Sequence, residues 1–284
     1  MVLESLLNPF VIKKKPWEMF FAGVFFSLIS LILSFLVFKE GAGMLTIFLI
    51  VLSTVPILYT TIKNEEELDL KYDQEFFLLK EHTKVLFFLM FLFLGITLAL
   101  TIAYVFLPNS MINSVFNIQQ QAILNVNKNI QATLTGNVIK FDLFLSILIN
   151  NLKVLFFCLI FSLLYGTGAM FILAWNASVI ATAMGNLIKT QLMQTATSVG
   201  ILSISHYFGA VTFSFIRYMT HGLLEIAAYF VAGMAGGIIS IALIKHDLKK
   251  DRVLIDSLDL ILISIGLILV AGIVEVYITP IFYV

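Results

Sequence analysis

Seven apolar runs, each about 20 residues long, limit what this chain can fold into more than any other feature. Hydrophobic residues make up 60% of the chain and charged residues 12%, about half the charged fraction of a typical soluble protein. In lipid, every backbone polar group must be bonded internally, which a helix does along its own length. We therefore predict an all-α polytopic transmembrane bundle. The runs cover residues 17–38, 43–62, 85–107, 143–164, 167–188, 221–244 and 257–279.

Charge and motif content exclude several classes of function. The 17 basic and 17 acidic residues cancel, so net charge favours no nucleic acid as a partner. Cys158 is the only cysteine, which excludes an internal disulfide and a CxxC metal site. The sequence has no phosphate-binding glycine loop, no dinucleotide fingerprint and no nucleophile elbow. We predict a protein without cofactor or catalytic residues, whose first partner is the lipid bilayer.

An eighth apolar piece, residues 201–216, is short for a crossing, and lysine and arginine counts decide its placement. With the N-terminus in the cytoplasm, treating this piece as re-entrant keeps the basic residues of 245–252 inside. We therefore expect seven crossings plus one re-entrant helix on the outer side. The protein would lie in the plasma membrane with its C-terminus outside.

Two polar segments separate the runs. Residues 63–84 are rich in charge and are predicted to form a cytoplasmic helix that continues into the third crossing. Residues 108–140 carry apolar side chains at every fourth position from Ile118, which predicts an amphipathic helix on the outer surface. Such a helix more often closes a bundle than recruits a partner.

The costly polar residues of the apolar runs concentrate in one half of the membrane. A charge near the bilayer centre costs at least about 2.5–3.5 kcal/mol, so such residues usually face protein or a cavity. The inner half carries almost nothing comparable. We therefore expect a polar pocket that opens to the outer side. Its predicted lining is Asn150, Asn151, Lys153, Asn176, His206, Arg217, His221, Glu225 and Glu275.

Within this set, Arg217, His221 and Glu225 are each four residues apart, so one helix would align them along one face. Glu225 has two interpretations. It could pair with Lys153 or Arg217 and hold the bundle together, or it could bind a ligand, a proton or a metal. A metal site would have to use histidines that are scattered along the sequence, and the chain has no HExxH pattern. We therefore predict no metal site.

Glycines mark sites of close helix packing. Gly166 and Gly168 lie where the fourth and fifth crossings turn, and Gly236 lies between the two glycines of a GxxxG pattern. The two glycines of the pattern are Gly233 and Gly237. Such a pattern is typical of ordinary helix packing, and its second interpretation is a contact between two copies in a homodimer.

These residues together resemble the stage II sporulation protein M family. The resemblance covers residues 85–245: an apolar helix, an extracytoplasmic loop, and a helix that opens with an asparagine pair. Thr220 stands where the family often has proline. We therefore divide the chain into a two-helix extension with a cytoplasmic loop (1–84), the family-like core (85–245) and an extra helix (246–284). The matching residues are Asn150, Asn151, Gly166, Gly168, Asn176, Gly185, His221, Gly222, Glu225, Gly233 and Gly236.

The resemblance implies a non-enzymatic integral membrane protein, since the founding member of the family scaffolds extracytoplasmic enzymes. The leading hypothesis is thus a scaffold or assembly protein that engages an extracytoplasmic or membrane partner through the polar pocket. The alternative is a transporter or lipid-handling protein that uses the same pocket as a substrate site, because ionisable groups converge beside a re-entrant helix.

Overall fold

The computed structural model describes residues 15–38, 41–71, 75–134, 140–165, 167–200, 203–245 and 251–280. Within these residues the chain forms nine α-helices and no strand. Seven of the helices are long and apolar enough to cross a membrane, which confirms the prediction of an all-α polytopic bundle. The helices are α1 Glu18–Val37, α2 Ala42–Lys71, α3 Glu75–Phe106, α4 Asn109–Val115, α5 Asn117–Leu134, α6 Lys140–Tyr165, α7 Ala169–Val199, α8 Ile204–Lys245 and α9 Asp251–Ile273, which continues as a π-helical turn, Val274–Ile278.

Contacts between helix ends show that neighbouring long helices run in opposite directions: Ser34 near the end of α1 hydrogen-bonds to Thr46 near the start of α2, and Glu65 near the end of α2 lies against His82 of α3. At the α7–α8 turn, Gly200 has φ +81°, a left-handed conformation that side chains other than glycine rarely adopt. We name the side of the bundle where α1 begins the N-terminal face and the side where α9 ends the C-terminal face.

The two short helices α4 and α5 lie at the C-terminal face and pack on the bundle. The Gln119 side chain donates to Ser178 Oγ at 3.3 Å, and the Gln120 side chain donates to Tyr104 Oη at 2.8 Å. The helix predicted within 108–140 is thus present, as two pieces covering 109–134. Its hydrogen bonds to α3 and α7 fit a segment that closes the bundle.

Helix α8 is the centre of the fold. Its segment 228–238 is buried on all sides, as expected for a helix that is apolar all round. A Cβ atom added to Gly233 would lie 2.9 Å from Ala169 Cβ, and one added to Gly236 would lie 2.6 Å from the Leu159 carbonyl oxygen. Gly237 is buried in the same segment. The GxxxG pattern is therefore used for packing within the chain.

The structure differs from the sequence-based predictions in two helical segments. Residues 204–216 are the first turns of α8, so a separate re-entrant helix is wrong. No proline or glycine stands in 217–220 to break the helix. With 42 residues, α8 is about 63 Å long, twice the hydrocarbon thickness. The segment predicted as one helix over 63–84 is divided between two helices, because 63–71 end α2, 75–84 begin α3 and His82 lies against Glu65; residues 72–74 lie outside the described residues.

Candidate functional site

A cluster of polar side chains joins α6, α8 and α9 inside the bundle. Asn151 Nδ2 of α6 donates to Glu225 Oε1 of α8 at 2.5 Å. The side chain of Glu225 also lies beside that of Glu275, which follows α9 in the π-helical turn. Asn151 is buried, whereas the two glutamates are partly exposed. We call Asn151, His221, Glu225 and Glu275 the carboxyl cluster.

The end of α9 positions Glu275 for this contact. A π-helical turn changes the direction in which successive side chains point, and such turns are frequent at functional sites. The Thr279 hydroxyl donates to the Val274 carbonyl at 3.1 Å, and His221 Nδ1 lies 3.2 Å from Thr279 Oγ1. Because the hydroxyl proton is already used, His221 Nδ1 acts as the donor. His221 thus fixes the end of α9 against α8, one helical turn from Glu225.

The carboxyl cluster has more acceptors than donors. The two carboxyl groups together carry four oxygen atoms, and the described donor to them is the Asn151 amide. The remaining carboxyl oxygens can accept hydrogen bonds from a backbone amide, a basic side chain or a water molecule. Among the residues that the structure describes, no group of three histidine, cysteine or acidic side chains could hold a metal ion.

The structure does not bring all nine predicted residues together. Asn150 and Lys153 lie on the exposed face of α6, and Glu225 bonds to Asn151 instead of Lys153, one of the two basic partners suggested for it. The reason is helical geometry, since residues 150 and 153 share a face that residue 151 does not. Arg217 lies over the ring of Tyr218 at 6.0 Å. Asn176 donates to the Ile172 carbonyl of its own helix at 2.8 Å.

His206 belongs to a different region. It lies 19 residues before Glu225 on α8, about 28 Å along the helix axis. It lines an open groove of about 430 Å³ at the C-terminal face, together with Gln191, Gln194 and Ser205. Ser203 N–H donates to His206 Nδ1 at 3.0 Å, and Ser203 Oγ lies 2.8 Å from the same nitrogen. This arrangement resembles a capping box at the start of α8, with histidine in place of glutamate.

Of the glycines predicted to assist packing, Gly168 immediately precedes α7. Gly166 lies outside the described residues.

A second buried cluster was missed by the sequence analysis, which expected almost no polar groups in this half. His82 Nδ1 lies 3.0 Å from Glu65 Oε2, and His82 Nε2 lies 2.9 Å from Asp256 Oδ2. A doubly protonated ring would donate to both carboxylates. All three side chains are buried. This histidine cluster joins α2, α3 and α9 on the N-terminal side of the bundle. The one signal of this cluster in the sequence is Asp256, an aspartate in the apolar run that begins at Val253. Its partner, His82, stands 174 residues earlier in the chain.

The adjacent asparagines of α6 give a matched test of the carboxyl cluster. Asn151→Leu removes the donor to Glu225 and should lower the free energy of unfolding by about 1–3 kcal/mol. Asn150→Leu, at an exposed position, should change it by less than about 0.5 kcal/mol. Denaturant unfolding of the purified protein in micelles measures both values. Equal losses for the two variants would contradict the assigned contact.

The histidine cluster is tested by a pair of histidine substitutions. His82→Leu removes the shared partner of two buried carboxyl groups and should lower the free energy of unfolding by at least about 3 kcal/mol. His206→Leu removes one capping contact and should cost no more than about 1 kcal/mol. The unfolding assay in micelles would refute this assignment if the two losses were similar.

Known proteins resemble this chain over more than half of its length. A model of the stage II sporulation protein M family matches residues 84–280. An uncharacterised protein of the archaeon Methanocaldococcus jannaschii is 31% identical over 175 residues, which are 60% of this chain and 83% of that protein. No solved structure matches. The family match runs past residue 245, the predicted end of the core, and so includes α9 and Glu275. The chain therefore belongs to the stage II sporulation protein M family.

Proposed function

We propose that this protein is a non-enzymatic membrane scaffold that engages a partner at its C-terminal face through the carboxyl cluster. The observation that carries the proposal is that Glu225 and Glu275, from different helices, lie beside each other inside the bundle, where Glu225 accepts a hydrogen bond from Asn151. Within the protein, the described donor to this pair is Asn151. A partner that supplied further donors would therefore gain hydrogen bonds to charged groups, which are the stronger kind.

Three features of the chain support a binding role rather than catalysis. Neither the family nor the archaeal relative indicates a reaction. The exposed pair Ser203 and His206 is accounted for by its role in capping α8. The carboxyl cluster holds acids, an amide and an imidazole that supports the end of α9, without a serine or cysteine nucleophile in the contacts described.

The proposal includes an orientation. We infer that the N-terminal face lies in the cytoplasm and that the partner is extracytoplasmic or membrane-bound. Exposed Lys63 and Lys84 lie on the N-terminal side, in agreement with the preference of basic residues for the cytoplasm. The carboxyl cluster then lies toward the outer side, where α8 extends beyond it by 21 residues to Ile204.

Isolation of the intact complex tests the function. We expect Glu225→Gln to reduce recovery of a protein partner from native membranes by about tenfold, the effect of losing one charged hydrogen bond. Glu275→Gln should have a smaller effect, because the described hydrogen bond from Asn151 is made to Glu225. Asp142→Asn, at an exposed position on α6, serves as the control. Mass spectrometry of proteins and lipids after mild-detergent affinity isolation measures recovery.

Two results would contradict the scaffold function. Undiminished recovery of partners with Glu225→Gln would remove the carboxyl cluster from the interface. Loss of a specific lipid or solute, without a protein partner in the wild type, would favour the transporter or lipid-handling alternative. Each variant must first unfold at the wild-type temperature, so that binding and folding are separated.

A further inference from the structure

We propose that the exposed face of α6 docks a transmembrane helix of another protein, one that carries a carboxylate at the depth of Lys153. This inference rests on the proposed scaffold function, to which it adds a second contact inside the membrane. It does not involve the carboxyl cluster, because Asn150 and Lys153 point away from it.

The first observation is that α6 is the least covered of the seven spans. Only 17% of its apolar window is buried, against 83% for α8. Helix α6 packs mainly on α8, with smaller contacts to α7 and α9. Its opposite side exposes large side chains along its whole length, from Phe141 to Leu164. This side faces the bilayer or another protein.

The second observation is a polar interruption at the middle of this face. Lys153 stands 13 residues after Lys140 and 12 before Tyr165, about 18–20 Å from either end of the helix. Asn150 lies one turn away on the same exposed face. Apolar neighbours Ile149 and Phe156 are 51% and 56% exposed, so this polar pair is surrounded by lipid-facing surface. A charge and an amide at this depth are costly unless a partner bonds to them.

Charge complementarity identifies the occupant. A carboxylate placed between these side chains would accept from the Lys153 ammonium and from the Asn150 amide. Lipid phosphates at the two ends of α6 would be about 18–20 Å from Lys153, farther than its four-carbon side chain reaches. A second copy related by a two-fold axis along the membrane normal would set Lys153 against Lys153. A different protein with an acidic residue in its transmembrane helix meets neither obstacle.

Synthetic helices test this docking site directly. The probes are leucine–alanine peptides of about 21 residues, with either Glu or Leu at the central position. The full-length protein, with a donor fluorophore on an N-terminal tag, is placed in phosphatidylcholine vesicles with acceptor-labelled peptide. We expect the Glu peptide to reach half-maximal energy transfer at about a tenfold lower peptide-to-lipid ratio than the Leu peptide. Lys153→Leu should abolish this difference, and Lys153→Arg should restore it.

Several results would overturn the proposal. Equal association of the two peptides, or an unchanged difference with Lys153→Leu, would mean that α6 does not recognise a carboxylate helix. Energy transfer between copies of the protein that Lys153→Leu removes would assign the face to a second copy. The vesicles contain no cellular partner, so a negative result with the peptides does not contradict the capture of a partner through the carboxyl cluster. Failure of that capture likewise leaves the peptide result standing.

Discussion

The hydrogen bond from Asn151 to Glu225 is the contact on which the arrangement of α6, α8 and α9 depends. In a bilayer there is little hydrophobic force between helices, so close packing and polar contacts hold them together. Helix α6 approaches α8 closely at Gly236 and bonds to it at Asn151. Glu275 lies beside Glu225, and the contact between His221 and Thr279 ties in the end of α9. At the other side of the bundle, His82 connects α2, α3 and α9 in the same manner.

Much of the fold could be predicted from the sequence, because a membrane span needs a run of apolar residues whose length can be read directly. The re-entrant helix could not. That prediction rested on the short length of 201–216 and on loop charges, which describe the composition of a segment and not its continuity. Whether a helix ends depends on local breakers, and 217–220 contain neither proline nor glycine. Helix α8 is therefore continuous from Ile204 through Arg217 to Lys245.

The candidate site was predicted less completely, for a different reason. Depth in the membrane follows from sequence position, so the grouping of Asn151, His221, Glu225 and Glu275 at one level could be anticipated. The direction of each side chain depends on how its helix packs. Opposite charge suggested Lys153 or Arg217 as the partner of Glu225, yet Lys153 is exposed and the described hydrogen bond comes from the neutral Asn151. The partners of His82 were missed because both glutamate and aspartate come from other helices.

The structure is thus a bundle with a pair of neighbouring carboxyl groups toward its C-terminal face and a sparsely covered helix, α6, beside it. The proposed scaffold function rests on these two features. The most direct test of this account is a double-mutant cycle for unfolding in micelles, combining Asn151→Leu with Glu225→Leu. The account predicts a coupling energy of at least about 1 kcal/mol. The same cycle with Asn150→Leu should give a value near zero. Equal coupling in both cycles, or none in the first, would contradict it.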